Sequence, residues 1–359
     1  WIAGSLFYVS LFGPLNTLLG GGFAMVRTLL VVLLLLTVLT AGVLYLPHTL
    51  VNVANMVLNG IAVVLFATPA WQAAAYEWRN GAARGVYDAD HAVAAMPQIA
   101  ATGGGEQGAS RPPNIYHFVF DRYPSEGVLK EYYGHDDSAT GRFLEQRGFY
   151  VARNSHANYH RTAHSLASTF YMDYLDLLAG TPEVAGDNWQ PVHAMLRDHR
   201  AARFLKARGY DFIQFGSWWT GTFRNHRAVV NRPHGFSEFN MLYLRRTMLR
   251  SIFQALPDWP LTRRLDWDSG QCHRVAAQIE EIKATSAREK PTYVFAHFLV
   301  PHDPYNFTTN GRCLTLQESN KRGLRQGYLD QVAYAGRIIE ELVTELQAGK
   351  LPRWGLLLV

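Results

Sequence analysis

Apolar and polar positions are unevenly distributed along this chain of 359 residues. Two long apolar runs, "MVRTLLVVLLLLTVLTAGVLYL" (residues 25–46) and "TLVNVANMVLNGIAVVLFATPA" (residues 49–70), can each cross a hydrocarbon core of about 30 Å. A weaker third candidate, "WIAGSLFYVSLFGPL", stands at the start. A single apolar run can also be a buried core helix, but two such runs close together favour membrane spans. The pattern therefore predicts transmembrane helices within residues 1–72.

Residues 73–112 are rich in Ala and Gly and end in "ATGGGEQGASRPP", which indicates a membrane-emerging helix and a flexible linker. After the linker, short apolar runs alternate with amphipathic ones. The predicted strands are "NIYHFVFD", "GFYVA", "YDFIQFGS", "TYVFAHFLV" and "WGLLLV". The predicted helices are "SATGRFLEQR", "AARFLKAR" and residues 273–286 and 324–346. This alternation predicts an α/β fold over residues 113–359, with a mainly parallel sheet covered by helices on both faces.

Composition and charge narrow the function classes. With 48% hydrophobic residues and a net charge of +5, the chain is not disordered by composition. No Lys/Arg cluster or base-stacking module stands out, so we expect no nucleic-acid binding, and the basic charge suits an anionic lipid or polymer. Cys272 and Cys313 are the only cysteines. They can pair if the domain lies outside the cytoplasm, or remain two buried thiols, and the sequence leaves both open.

Polar residues cluster where predicted strands end, and ligands of parallel sheets bind at that edge. Asp121 ends the first strand, Trp218 and Trp219 follow "YDFIQFG", and "HFLVPHDPY" supplies His297 and His302. Each has a structural alternative, because an Asp after a strand often caps a helix and His297 can be a core histidine. Their grouping at one sheet edge favours a shared site.

The stretch "NYHRTAHSLAST" adds a nucleophile to this edge. Asp121 suits a hard divalent cation, and the hydroxyl of Thr162, next to a metal, can ionise and attack phosphorus or sulfur. His297 and His302 can bind an anionic oxygen or protonate a leaving group. The alternative is a helix start in which Thr162 or Ser165 caps free backbone N–H groups.

Further residues are expected around the nucleophile. Asn158, Tyr159 and His164 are predicted to line the substrate pocket. Trp218 and Trp219 can stack on a sugar or meet lipid headgroups, with ordinary loop packing as the alternative.

These motifs resemble the membrane-anchored branch of the alkaline phosphatase and sulfatase superfamily, which includes phosphoethanolamine transferases and lipoteichoic acid synthases. The resemblance rests on "PNIYHFVFDRY", "GFYVARNSHANYHRTAHSLAST", "LKARGYDFIQFGSWW" and "HFLVPHDPY". The nucleophilic threonine of the phosphoethanolamine transferases, in a Thr-Ala-x-Ser pattern, matches Thr162. Their paired histidines match His297 and His302, and the family's first metal ligand matches Asp121.

The resemblance implies a membrane-anchored, metal-dependent hydrolase or transferase for phosphorus esters of a lipid or cell-envelope glycan. Thr162 would carry the covalent intermediate and, with Asp121, bind the metal, zinc first, with manganese, magnesium or calcium as alternatives. It also implies a bacterial, multi-pass protein of the cytoplasmic membrane with its catalytic domain on the periplasmic or extracytoplasmic side. By the positive-inside rule, Arg27, Arg79 and Arg84 would instead place that domain inside the cell, but three charges carry little weight.

Two departures from the family pattern define the alternatives. No Cys-x-Pro-x-Arg or Ser-x-Pro-x-Arg motif stands at residues 162–169, so hydrolysis of sulfuric esters is the alternative rather than the first expectation. The family's Asp-His-Gly metal motif follows a strand like "WGLLLV", whereas this sequence stops at Val359. We therefore expect a fragment of a longer enzyme that lacks part of the metal site, inactive alone. A catalytically inactive envelope assembly protein is the remaining alternative.

Overall fold

The computed structural model describes residues 25–81, 112–179, 189–247, 267–348 and 354–358, with isolated positions between 247 and 267. The strands are β1 (Asn114–Phe120), β2 (Asp211–Phe215), β3 (Val230–Asn231), β4 (Thr292–Phe298) and β5 (Trp354–Leu358). The helices are α1 (Met25–Leu44), α2 (His48–Gly81), α3 (Glu126–Tyr133), α4 (Ser138–Gln146), α5 (Thr162–Tyr171), α6 (Gln190–Arg197), α7 (Arg200–Lys206), α8 (Glu238–Arg245), α9 (Trp267–Thr285), α10 (Leu316–Arg322) and α11 (Leu324–Ala348).

Contacts divide the chain into two units. One comprises Trp1–Gly85 with Phe239–Thr262, and the other comprises Val86–Glu238 with Arg263–Val359. In the described part of the first unit, His48–Trp78 is long and apolar enough to cross a membrane, and Leu30–Leu44 is a shorter apolar helix. The weaker candidate at residues 1–15 lies outside the described residues. The described residues therefore contain one candidate span, and the multi-pass arrangement stays a prediction.

The second unit is built on one parallel sheet. Its strand order is β3-β2-β4-β1-β5, and every neighbouring pair runs parallel. Val119 of β1 lies opposite His297 of β4, so the carboxyl ends of these central strands coincide. The α/β class with a mainly parallel sheet is confirmed.

Side chains of successive strand residues enter two different cores, because they point to opposite faces of a sheet. On one face, Phe118 and Phe298 pack with buried residues of α9 and α11 such as Ile282 and Leu342. On the other face, Phe295 packs with buried residues that come mainly from α5, α6 and α7. Each large side chain that is fully buried contributes roughly 2–3 kcal/mol. Helices therefore cover both faces, as the sequence predicts.

The predicted strand "GFYVA" is wrong. Residues 148–152 have no strand assignment, and the backbone N–H of Phe149 instead donates to Leu144 O at 3.0 Å, after Gly148 turns the chain with φ 86°. Phe149 and Val151 pack against the core, whereas Tyr150 is 91% exposed. The alternating pattern therefore arises from packing of one side of an extended segment, without sheet pairing.

The two cysteines are paired. Cys272 of α9 and Cys313, in the segment between β4 and α10, form a disulfide with a Cα–Cα distance of 5.9 Å. Of the two alternatives left open by the sequence, the structure shows the bridge. It ties α9 to the chain that follows the "HFLVPHDPY" stretch.

Candidate functional site

The site begins where β1 ends. Asp121 follows β1 directly, and its backbone N–H donates to Phe298 O of β4 at 2.9 Å, which holds this residue at the sheet edge. Thr162 is the first residue of α5, and its Oγ1 donates to Asp121 Oδ1 at 3.3 Å. The fold therefore brings together the predicted nucleophile and the predicted metal ligand, which are 41 residues apart in sequence.

The start of α5 is not capped by a hydroxyl. Arg161 is the N-cap residue and makes no side-chain cap hydrogen bond, so neither Thr162 nor Ser165 has the capping role of the structural alternative. A helix start carries N–H groups without intrahelical partners and a partial positive charge. Because Thr162 stands at this point, the surroundings of its hydroxyl favour a bound anion.

His297 lies behind Asp121. The His297 side chain is fully buried, its Nε2 is 3.4 Å from Asp121 Oδ2, and its Nδ1 is 2.7 Å from Thr222 Oγ1. Burial alone raises the pKa of the Asp121 carboxyl, but the contact with His297 and the charges of His302 and Arg122 outweigh it, so the net pKa lies below its ordinary value. Asp121 is therefore a carboxylate at neutral pH.

His302 is held by the backbone after β4. Its Nδ1 is 2.5 Å from the carbonyl oxygen of Asp303, and its own carbonyl accepts a hydrogen bond from Gln331 Nε2 at 3.0 Å. A carbonyl oxygen can only accept, so Nδ1 carries the hydrogen in this contact. Nε2 is then the ring nitrogen that can exchange a proton with a group in the site.

A cavity of about 310 Å³ opens above Thr162 and Asp121. It contains most of the predicted catalytic group and three residues that sequence reasoning missed: Arg161, Trp189 and His193. The lining residues are Asp121, Arg161, Thr162, Ala163, Trp189, His193, Trp218, Trp219, Leu299 and His302.

Other predicted pocket residues lie beside the cavity lining. Asn158 Nδ2 donates to Ser168 Oγ at 3.1 Å, and Tyr159 OH accepts from the N–H of Leu175 at 2.8 Å. His164 packs its ring 5.0 Å from that of Trp189. These side chains support α5 and the cavity wall from outside, and their substrate-binding roles stay predictions.

Alternating indole and imidazole rings form one wall of the cavity. The ring centroids of Trp189 and His193 are 6.4 Å apart, those of His193 and Trp219 are 5.8 Å apart, and those of Trp219 and His297 are 6.0 Å apart. Burial, with smaller contributions from Arg197 and His164, lowers the pKa of His193 to about 4. His193 is therefore neutral near pH 7, so Trp189, His193 and Trp219 offer an aromatic and polar surface without a charge.

Gly221 allows Trp219 to take its place in that wall. A Cβ on Gly221 would lie 2.2, 2.5 and 2.6 Å from three ring atoms of Trp219. Real side-chain carbons rest about 3.5–4.0 Å apart. The indole of Trp219 therefore lies directly on the backbone of residue 221, where only glycine leaves room.

The missed residues had a weak signal in the sequence. Trp189 and His193 are four residues apart across the start of α6, a spacing that puts two side chains on one helix face. Arg161 directly precedes the predicted nucleophile. Spacing alone does not say which face of α6 meets the sheet edge, so the fold was needed to place Trp189 and His193.

Asp121 and Thr162 supply two oxygen atoms that suit a hard divalent cation, and the low pKa of Asp121 keeps its carboxylate ionised. Two protein ligands are fewer than the three or four of a typical zinc site. In the described part of the chain, no group of three or more His, Cys, Asp or Glu side chains is arranged to hold a metal ion. The pair therefore fits one side of a metal site.

Comparison with known proteins gives one match. The family model described as Sulfatase covers residues 129–359, which is more than half of the chain. No curated protein and no solved structure matches the chain.

Proposed function

The chain belongs to the sulfatase family, and we propose that it is a membrane-anchored hydrolase or transferase for phosphorus esters of a lipid or a cell-envelope glycan. Proteins of this family generally use divalent metals. The observation that carries the proposal is the contact of Thr162 Oγ1 with Asp121 Oδ1 at 3.3 Å, beside a cavity large enough for a small headgroup.

Thr162 acts as the nucleophile in the proposed mechanism. Its Oγ1 attacks the phosphorus atom, the bond from phosphorus to the leaving alkoxide breaks, and the phosphoryl group becomes bonded to Thr162. Asp121 Oδ1, which already accepts the hydrogen bond of this hydroxyl, orients Oγ1 for the attack and takes its proton as the bond to phosphorus forms. The start of α5 stabilises the negative charge on the phosphoryl oxygens.

His302 completes the proton transfers. With Nδ1–H donating to the Asp303 carbonyl, Nε2 is the atom that delivers a proton to the leaving alkoxide when the imidazole is protonated. In the second half of the reaction, the same nitrogen takes a proton from water or from an acceptor hydroxyl. Water gives hydrolysis and an acceptor alcohol gives transfer, and in both cases the leaving Thr162 oxygen takes back its proton from Asp121, which regenerates the free hydroxyl.

Asp121 and Thr162 are the residues that would hold the metal. When bound, a divalent cation lowers the pKa of a coordinated hydroxyl and neutralises charge on the phosphoryl group. His297 contributes by orienting Asp121, because its buried ring lies between the Thr222 hydroxyl and the carboxylate. A fixed carboxylate loses little conformational freedom on binding a cation.

The shape and charge of the cavity support a headgroup that combines one anionic ester with a polar or apolar body. Among the described residues that line the cavity, Arg161 is the one arginine or lysine, and it suits the ester oxygens. Trp189, Trp218 and Trp219 offer indole faces that suit a sugar ring or the alkyl part of a lipid headgroup.

The disulfide and the apolar helix support the proposed location outside the cytoplasm, at the membrane. Disulfides persist in oxidising compartments, and Cys272 and Cys313 are bonded. The helix His48–Trp78 meets the length and composition of a membrane span. Both observations support the proposed position of the catalytic unit on the extracytoplasmic side.

Sulfuric ester hydrolysis is the second candidate, and the match to the sulfatase family favours it. Matched 4-nitrophenyl esters separate the two candidate activities in the full-length protein. The esters are a phosphodiester, a phosphomonoester and a sulfate. Turnover of a phosphorus ester with little turnover of the sulfate supports the first proposal. The reverse order would replace it with the second.

A pair of variants tests the nucleophile. Thr162→Ala is expected to remove turnover, because it removes the attacking oxygen. Thr169→Ala is the matched control, since Thr169 is in the same helix and its hydroxyl only donates to Ser165 O at 2.9 Å. Full activity of Thr162→Ala, or equal losses in both variants, would end the assignment of Thr162.

A further inference from the structure

A segment inserted into the catalytic unit has an unusual pattern of exposure. Phe239–Thr262 belongs by its contacts to the same unit as the apolar helices α1 and α2, although residues of the other unit flank it on both sides in sequence. We call this stretch the surface segment. Its first part is helix α8.

Three exposed apolar residues of the surface segment form a stripe along α8. Phe239, Leu242 and Tyr243 of α8 are exposed, and their spacing of i, i+3 and i+4 puts them on one helix face; Arg246, which is also exposed, directly follows the end of the helix. The three apolar side chains are 72%, 51% and 50% exposed, whereas Met241 is buried at 6%. Water is therefore in contact with the apolar side of this helix, a costly arrangement for a soluble surface.

The apolar character continues beyond the helix. Leu249, Leu256 and Trp259 are also exposed at 37%, 50% and 49%. Phe239 and Tyr243 stack their rings with centroids 6.3 Å apart, so the aromatic part of the stripe is one continuous surface. Aromatic side chains of this amphipathic kind concentrate at the boundary between lipid headgroups and acyl chains.

The charge of the surface segment selects its partner. It contains three arginines and one aspartate, Glu238 directly precedes it, and Arg246 is exposed just after the stripe. Helices that lie in a membrane interface combine an apolar face with basic residues that attract anionic lipid headgroups. Binding to a soluble protein partner would leave unexplained why this segment has its contacts with the unit that contains the apolar helices.

We propose that the surface segment lies in the interface of a bilayer that contains anionic lipid, with Phe239, Leu242 and Tyr243 inserted among the headgroups. Such helices are buried by roughly 5–10 Å at the boundary between headgroups and acyl chains. The segment thus gives the catalytic unit a second attachment to the membrane, in addition to the N-terminal helices. The proposal does not depend on the chemistry at Thr162.

A fluorescent label tests the proposal in the whole chain, reconstituted into phosphatidylcholine vesicles with and without phosphatidylglycerol. Tyr243→Cys carries an environment-sensitive dye, and the native cysteines do not react because they are bonded to each other. Tyr132→Cys is the matched control, since Tyr132 is an exposed tyrosine of α3, a helix with mixed charges. Quenching by phosphatidylcholine brominated on its acyl chains reports contact with lipid.

The expected result is a blue-shifted emission and loss of most of the fluorescence on quenching at residue 243, with neither change at residue 132. Phosphatidylglycerol should increase the quenching at residue 243, and Arg246→Glu should remove that increase. Equal, water-like emission at both positions would overturn the proposal. Blue-shifted emission at residue 243 without quenching would also overturn it, because the stripe would then be covered by protein.

Discussion

Gly221→Ala tests how the aromatic wall is built. The added Cβ would lie 2.2–2.6 Å from ring atoms of Trp219. Because carbon atoms rest about 3.5–4.0 Å apart, the indole has to move by more than about 1 Å. Overpacking of this kind costs about 1–3 kcal/mol of the free energy of unfolding, and a shift of about 1 Å in a site can lower kcat/KM by as much as about 100-fold. Gly221 has no positive φ, so the backbone itself accepts alanine.

A double-mutant cycle isolates the contact. Thermal unfolding in detergent is measured for Gly221→Ala, Trp219→Ala and the double variant, with Gly127→Ala as the control because nothing lies within 4 Å of its added Cβ. In the Trp219→Ala background, Gly221→Ala should cost less than about 0.5 kcal/mol, since the clashing ring is gone. An unchanged melting temperature for Gly221→Ala, or the same loss in both backgrounds, would refute the assigned packing.

Three further predictions follow from buried or bonded groups. Burial lowers the pKa of His117 from 6.5 to about 4 and that of His199 from 6.5 to about 3. As the pH falls below 6.5, these histidines therefore take up protons in the unfolded chain before they do so in the folded one. The free energy of unfolding should then fall between pH 6.5 and 4 by about 1.4 kcal/mol per pH unit for each histidine. His199→Asn can keep the cap on Ala202 and should reduce that slope in urea unfolding; an unchanged slope contradicts the assignment. Replacing both Cys272 and Cys313 by serine removes a bridge between residues 41 apart in sequence, which should lower the free energy of unfolding by about 4 kcal/mol in the chain-entropy model. The measurement is unfolding without reductant, and an unchanged free energy of unfolding would contradict the prediction. Asp121→Ala in the full-length protein should abolish zinc binding by calorimetry; retained biological function without the metal would favour the assembly role.

The central strands β1, β2 and β4 were predictable from sequence because nearly all their residues, on both faces, are buried. Short continuous apolar runs such as those of β1 and β4 are typical of parallel strands covered on both faces. Residues 148–152 show the limit of this reasoning. Phe149 and Val151 face the core and Tyr150 faces water, as in a strand, but sheet pairing depends on a neighbouring strand that local pattern does not reveal.

The site was predictable where its residues follow strands directly. The meeting of Asp121, Trp218 and His302 at one cavity was predictable because the carboxyl ends of parallel strands meet at one edge, whereas their roles stay predictions. Trp189 and His193 come from α6, whose position over that edge is set by packing of its buried side on the core. No strand end marks them, so the sequence pattern carried no direct sign of their role.

The most direct test of the central claim is a mass measurement on Thr162. The full-length protein is mixed with a phosphodiester, quenched during turnover and digested, and the peptide that contains Thr162 is analysed by mass spectrometry. The account predicts a phosphoryl adduct on Thr162 that forms and decays with turnover, is retained in Thr169→Ala and is absent in Thr162→Ala. Turnover without an adduct at Thr162, or turnover that persists in Thr162→Ala, would contradict it.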